Sequence, residues 1–264
     1  MHVSTFDRYE TGASLIHRLD ARVKVVVTVL FILSNVLLPD GAWLAFLLAW
    51  GMVLAVNLLA RLQWSYALKR SFIALPFALA AITVIFSLPG QAVFTLHVGP
   101  WQWVATDAGL VRFASIVVRS WLSVQMAILL TATTQFSDLM HALRHLRVPQ
   151  LLVAVISFMY RYLFVLADEA MRLMRAREAR SARPAGAGGS GGTLRWRASV
   201  AGHMVGQLFL RSYERSDRVY NAMLARGYQG HFFTFNPHTM HRRDWLMAAA
   251  AGVALLLMQL AGHI

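Results

Sequence analysis

The sequence predicts an all-α integral membrane protein with about five transmembrane helices and a cytoplasmic set of one short and two long helices. Composition, apolar runs and the placement of arginine carry that expectation. Of 264 residues, 58% are hydrophobic and 14% charged, where a soluble domain carries about 25% charged. Mean hydropathy is +0.53. Cysteine is absent, which excludes disulfide frameworks, zinc–thiolate sites, iron–sulfur clusters and cysteine nucleophiles. The net charge of +13, from 25 Lys and Arg against 12 Asp and Glu, acquires meaning only from where the charges fall relative to the apolar runs.

Residues 1–19 are polar and lack the apolar core of a signal peptide, so no cleaved leader is expected. The first apolar run, Val23–Leu38, stops at Pro39-Asp40. The second is Gly41–Ala60. The third, Phe72–Leu88, lies between Lys69-Arg70 and Pro89-Gly90. The fourth runs from Gly109 to Thr134 and the last from Trp245 to Ile264. Each approaches the ~20 residues a helix needs to cross ~30 Å of hydrocarbon. Trp43, Trp101, Trp103 and Trp245 fall near run ends, as interfacial aromatics do.

A sixth run, Leu151–Ala167, is long enough to span, but charge argues against it. Arg8, Arg18, Arg22 and Lys24 precede or open the first run, and Arg61, Lys69 and Arg70 separate the second from the third. Residues 39–41 and 90–108 carry no Lys or Arg. This is a positive-inside pattern with a cytoplasmic N-terminus. The fourth run returns the chain inside, so a sixth crossing would put the arginine-dense block Arg172–Arg243 outside. Arg161, inside the run, agrees. The expected organisation is an N-terminal segment with four spans (1–134), a cytoplasmic insertion (135–243) and a last span (244–264).

Within the insertion, Ser137 is expected to cap a short helix, Asp138–Arg147, whose apolar stripe is Leu139, Met140, Leu143 and Leu146. Pro149 is placed to open a second helix, unbroken until Pro184. Its apolar first half carries Leu151, Val155, Phe158, Tyr162 and Leu166, which must bury against the other long helix, the spans or a partner. A linker rich in Gly and Ala follows at 184–193. The third helix is expected from Leu194 to Arg226, with Gly227 as its stop. The two long helices end alike: Asp168–Glu178 reads DEAMRLMRARE and Asp217–Gly227 reads DRVYNAMLARG. In both, an apolar stripe closes on one arginine, Arg177 and Arg226. A last-turn guanidinium either caps carbonyls under the helix dipole or reaches past the helix end into a partner; the repetition favours docking.

These residues resemble the transmembrane T component of energy-coupling factor (ECF) transporters, the EcfT/CbiQ family. Leu15-Ile16-His17-Arg18-Leu19-Asp20-Ala21-Arg22-Val23-Lys24 is similar to the family's LHrlDpRvK segment, with Ala21 where proline is usual. Arg147-Val148-Pro149 resembles its turn into the coupling helices. Ala176-Arg177-Glu178 resembles the first Ala-Arg-Gly motif, with Glu in the glycine place, and Ala179-Arg180-Ser181 competes for that role. Ala225-Arg226-Gly227 is the second motif, intact, and its extension Tyr228-Gln229-Gly230 looks most like the cobalt/nickel CbiQ branch. The resemblance covers nearly the whole chain, and its specificity lies in the order of the motifs. It implies a scaffold of the inner membrane that binds no cofactor of its own. Its partners would be two cytoplasmic ABC ATPase subunits, a substrate-binding S component and the lipid bilayer, with room for a further small membrane subunit. The motif arginines would enter grooves of the ATPases. Cobalt or nickel uptake is the expected role; a vitamin such as biotin is the alternative.

Other signals are weaker. Gly186–Thr193 mimics a phosphate-binding glycine loop, but no strand precedes it and the lysine is missing; a flexible linker accounts for it. His141/His145 and His238/His241 have ligand-like spacing without a carboxylate, so solvated faces and no metal site are expected. Arg112 and Arg119 share a face of the fourth span. Arg119 is a candidate for pairing with Asp40 or Asp107. The basic stretch 172–183 needs no nucleic acid to explain it. An intramembrane enzyme would need paired carboxylates or histidines within spans, and a secondary transporter would need span repeats; neither is visible, and no catalytic residue is expected.

Overall fold

The computed structural model describes residues 9–10, 12–98, 101–180, 193–230 and 240–263. The described chain is helical except for one hairpin: α1 (Ala21–Leu37), α2 (Trp43–Ala60), α3 (Trp64–Ser71), α4 (Leu75–Ala81), β1 (Ala92–Val98), β2 (Trp101–Thr106), α5 (Asp107–Thr133), α6 (Phe136–His145), α7 (Gln150–Arg180), α8 (Leu194–Ala225) and α9 (Arg242–His263). It is an all-α, multi-pass membrane protein. By length and composition α2, α5, α7 and α9 can each cross a bilayer, and a bent pair within 68–86 makes a fifth. α1 has 17 residues, ~26 Å at 1.5 Å per residue.

Two compact units divide the chain, His2–Leu146 with His238–Ile264, and Arg147–Pro237. In the first unit α5 is the hub, touching α1, α2, α3 and α4, while α9 packs on α1 and α2. Phe31, Val53, Leu122, Met126, Leu129 and Met258 form its centre. Small residues let helices approach: Ala45 and Ala49 are fully buried. Leucines such as Leu33, Leu37, Leu44, Leu47, Leu256 and Leu260 stay exposed, as a lipid-facing surface requires. Several polar side chains in the spans bond across helices. The amide Nδ2 of fully buried Asn35 donates to the Arg119 carbonyl and the Ser123 hydroxyl, both at 3.0 Å. Gln259 Nε2 donates to Ser34 Oγ at 2.7 Å, and Trp121 Nε1 to Ser71 Oγ at 3.0 Å. Such bonds are worth about 0.6 kcal/mol each in a bilayer, so they fix register more than they drive association.

Three expectations change. The third run is not one helix. α3, a 3-10 turn at Phe72–Ala74, α4 and a second 3-10 stretch at Ile82–Phe86 replace it, with a bend of 42°. Pro76 in the first turn of α4 has no N–H to continue the ladder from α3. Within the expected 90–108 loop, β1 and β2 pair antiparallel, Phe94 opposite Ala105 and Val98 opposite Trp101; their Val, Thr, Phe and Trp content suits strands. Ser137 does not cap the short helix. The Gln135 carbonyl receives the Asp138 and Leu139 amides at 3.1 and 3.0 Å, so α6 starts at Phe136 and ends at His145, and Leu146 is exposed.

Thr106 caps α5 by accepting the Gly109 amide at 3.1 Å. At Gly109 a Cβ would lie 2.4 Å from the Ile85 carbonyl oxygen, a backbone atom that cannot swing away. Gly109→Ala should therefore push α5 off the Ile82–Phe86 stretch and cost about 1–3 kcal/mol, the usual range for overpacking. A lowered melting temperature of the detergent-solubilised protein checks this; an unchanged one refutes the close approach.

Candidate functional site: a charged clasp and a basic helix pair

The first turn of α1 carries Asp20, Arg22 and Lys24, two residues apart, and each is tied to a different part of the bundle. Asp20 caps α1, its Oδ1 accepting the Arg22 amide at 2.8 Å. The Asp20 amide in turn donates to Asp244 Oδ1 at 3.1 Å. Asp244, 5% exposed, receives the His241 amide on its other oxygen at 2.8 Å. One carboxylate thus caps α9 and closes α9 onto α1. Arg22 donates to His141 Nε2 on α6 at 3.2 Å. Lys24 Nζ donates to the Thr133 carbonyl at the end of α5 at 2.9 Å and to the His17 carbonyl at 3.3 Å.

The segment before α1 is held by His17. Its Nε2 faces the Glu10 carbonyl at 3.0 Å and its Nδ1 the Ser14 hydroxyl at 2.7 Å. A carbonyl only accepts, so Nε2 carries a proton; with the ring neutral, Nδ1 accepts from the Ser14 hydroxyl. Burial lowers the His17 pKa in keeping with that state, against the opposing pull of the Glu10 carbonyl. Beside the clasp is a small apolar cavity of about 90 Å³, bounded by Ile16, Val27, Val56, Met126, Leu129 and Met247 among others. That is room for about three waters, and its walls offer few groups to bind them.

The expectation of a solvated face at His141 is overturned. The ring is 9% exposed and bonded to Arg22, because α6 turns Met140, His141 and Ala142 inward. The His145 ring lies beside it, tilted by 50°, with ring centroids 4.6 Å apart. Among the described residues no three His, Asp or Glu side chains converge as metal ligands. His238 and the glycine run within 184–193 lie outside the described residues, apart from Thr193, which caps α8 by accepting the Trp196 amide at 3.3 Å. At the other end of the bundle Arg119 selects Asp40, at 2.8 Å, and the Leu38 carbonyl, at 2.6 Å; Arg112 reaches the second Asp40 oxygen at 3.7 Å. Asp107 instead receives the Gln91 amide at 3.1 Å.

The second unit holds the residues that the sequence singles out. The Arg147-Val148-Pro149 turn is made by Arg147 in the left-handed region, φ 63°. Pro149 offers its carbonyl to the Leu152 and Val153 amides at 3.0 and 3.3 Å, and α7 begins at Gln150. On its apolar half Leu151 and Val155 are exposed, at 74% and 55%, and Phe158, Tyr162 and Leu166 are half-buried. Phe158 and Tyr162 stack with centroids 6.3 Å apart. Near the end of α7, Arg177 is half-buried and Ala176, Glu178 and Arg180 are exposed. α8 ends differently. Gly227, φ 81°, donates to the Leu224 carbonyl at 2.9 Å and Tyr228 to that of Met223 at 3.0 Å, the Schellman pattern. Ala225 is the last helical residue and Arg226 the cap, both exposed. Arg177 is thus inside its helix, three residues before Arg180, whereas Arg226 stands just outside its own. Ser181, in the competing motif, lies outside the described residues.

Sequence reasoning missed Asp244 and Glu169. Asp244 is an acidic residue in the first turn of an apolar helix, where the helix dipole favours a carboxylate, and that could have flagged the first. Glu169, beside the aligned Asp168, bonds Arg211 across to α8 and Arg172 on its own helix, the latter at 3.2 Å.

The fold is that of a multi-pass membrane protein that also carries two long arginine-rich helices. The chain matches the family described as cobalt transport protein, CbiQ, over residues 12–236. It is 31% identical to the energy-coupling factor transporter transmembrane protein EcfT of Lacticaseibacillus paracasei, covering 94% of each chain. It is 30% identical to the cobalt transport protein CbiQ of Rhodobacter capsulatus over 58% of this chain and 59% of that one. Nickel permease LarQ of Lactiplantibacillus plantarum is 26% identical over 61% and 55%. The chain belongs to the CbiQ family of ECF transporter T components.

Asp244→Ala strands the Asp20 and His241 amides, and buried unmade bonds cost about 1–3 kcal/mol each. The variant should melt well below the parent in detergent, with Asp244→Asn, which keeps one acceptor oxygen, between the two. Equal melting of all three would refute the clasp.

Proposed function

We propose that this chain is the energy-coupling subunit of an ECF-type importer for cobalt or nickel ions. Its N-terminus and α6–α8 face the cytoplasm, two ABC ATPases bind the arginine-bearing helix ends, and an S component binds the apolar half of α7. The single observation that carries this reading is the surface of the α7–α8 unit. α8 has no buried residue, and Val205, Phe209, Tyr213, Tyr220 and Leu224 stand exposed along it at helical spacing. On α7, Leu151, Leu152, Val155, Met159 and Leu163 are likewise exposed. So much apolar surface requires partners. Arg177 and Arg226, with Arg180 as the alternative on α7, supply the charge for acidic grooves.

α7 is apolar enough to cross a bilayer, with mean hydropathy 1.8 over its best window. Charge argues that it does not. A crossing would bury exposed Arg161 at about 2.5–3.5 kcal/mol near the bilayer centre and would carry the arginines of α7 and α8 outward. A reporter inserted at Gly188 is expected to be cytoplasmic and one after Ile264 external; an external signal at Gly188 would sink the coupling role.

A vitamin-specific S component on the same scaffold is the second reading. Cobalt and nickel uptake by the chain expressed with its ATPases and S component, against uptake of biotin, separates the two. For the docking itself, Arg177→Glu with Arg226→Glu should abolish ATPase co-purification and uptake while the protein remains in the membrane, since removing one side of a desolvated charge contact costs about 2–5 kcal/mol. Each single change should weaken coupling only. A double variant that assembles and transports normally would leave both arginines as mere helix caps, and Arg180→Glu worse than Arg177→Glu would move the first motif by three residues.

A further inference from the structure

α7 and α8 meet with little apolar burial. α8 buries no side chain, and α7 buries only Val153 and Ala154, in its first turn. Elsewhere the seam is half-buried, at Leu166, Ala170 and Leu173 on α7 and Met204, Leu208 and Ser212 on α8. Within it the Glu169 side chain is 14% exposed, the Arg211 side chain 52% and that of Arg172 62%. One Glu169 oxygen takes Arg211 from α8 and the other takes Arg172.

We propose that Glu169 is the pivot of the helix pair, a positioning residue whose carboxylate holds α7 and α8 together at one point while their ends swing about it. The inference rests on the coupling role proposed above. Interdigitated apolar ridges select particular crossing angles. A carboxylate giving one oxygen to each guanidinium keeps its attraction over a range of angles, because a charge pair decays slowly with distance. The arms are unequal. At ~1.5 Å per residue, Arg177 lies ~12 Å along α7 from Glu169, and Arg226 ~22 Å along α8 from Arg211. An equal rotation moves Arg226 about twice as far as Arg177.

The natural absence of cysteine allows spin labels at exposed Arg175→Cys and Asn221→Cys in the full complex in lipid vesicles. The parent should show a defined label distance that shifts between nucleotide-free and ATP-trapped states. Glu169→Gln should broaden that distribution and cut cobalt or nickel uptake about twofold to fivefold, the scale of a largely solvated ion pair, while ATP hydrolysis persists. The transposed pair Glu169→Arg with Arg211→Glu should restore the distribution and the uptake, and Glu169→Asp should perturb both less than Glu169→Gln. An unchanged distribution in Glu169→Gln, or no recovery in both the transposed pair and Glu169→Asp, overturns the pivot. If the parent transports no metal ion, the coupling reading fails while the label distances still decide the pivot.

Discussion

The bundle depends on how three charged residues are disposed of in the first turn of α1. Buried polar groups need partners, and this segment finds them on three other elements: the Asp20 amide on α9, the Arg22 guanidinium on α6 and the Lys24 ammonium on α5, while the Asp20 carboxylate caps α1 itself. Asp244 answers the Asp20 amide, His141 answers Arg22, and the last carbonyl turn of α5 answers Lys24. The apolar centre around Leu122 and Met258 is non-directional and would accept several helix registers. The clasp is directional, and it selects one.

The second unit is built on the opposite principle. Its helices bury little against each other and expose long apolar rows. A pair of helices so sparsely packed has low intrinsic resistance to changes of angle, which is what the proposed coupling role would use. The left-handed Arg147 costs of order 1 kcal/mol for a residue with a Cβ. Rigidity in the bundle and compliance in the helix pair are both consequences of where polar groups find partners.

Much of this was legible beforehand. Apolar run length and the positions of Pro39, Pro149 and Gly227 place α1, α2, α5, α7, α8 and α9 within a few residues of their ends, because hydrocarbon thickness and helix-breaking chemistry act locally. The lead-in motif at 15–24 was legible as a motif, but its purpose was not, since Asp244 lies 224 residues from Asp20. His141 was read as solvated because helical spacing says which residues share a face and not which face turns inward. The kink at Pro76 and the hairpin at 92–106 were hidden for another reason: a run of apolar residues looks alike whether it forms one helix, two, or a strand. Glu169 escaped because one carboxylate among many charges carries no periodic signal.

The long reach of the Asp20–Asp244 bond sets an order of events in biosynthesis. The ribosome delivers α1 first and Asp244 224 positions later, which at ~5–20 residues per second is a delay of ~10–45 s. Throughout that interval the Asp20 amide lacks its acceptor, and the bundle stands open on the side that α9 will occupy. Closure therefore waits on α9. A chain truncated before Arg242 would lack both the acceptor and the helix, and would reach the membrane with that seam exposed.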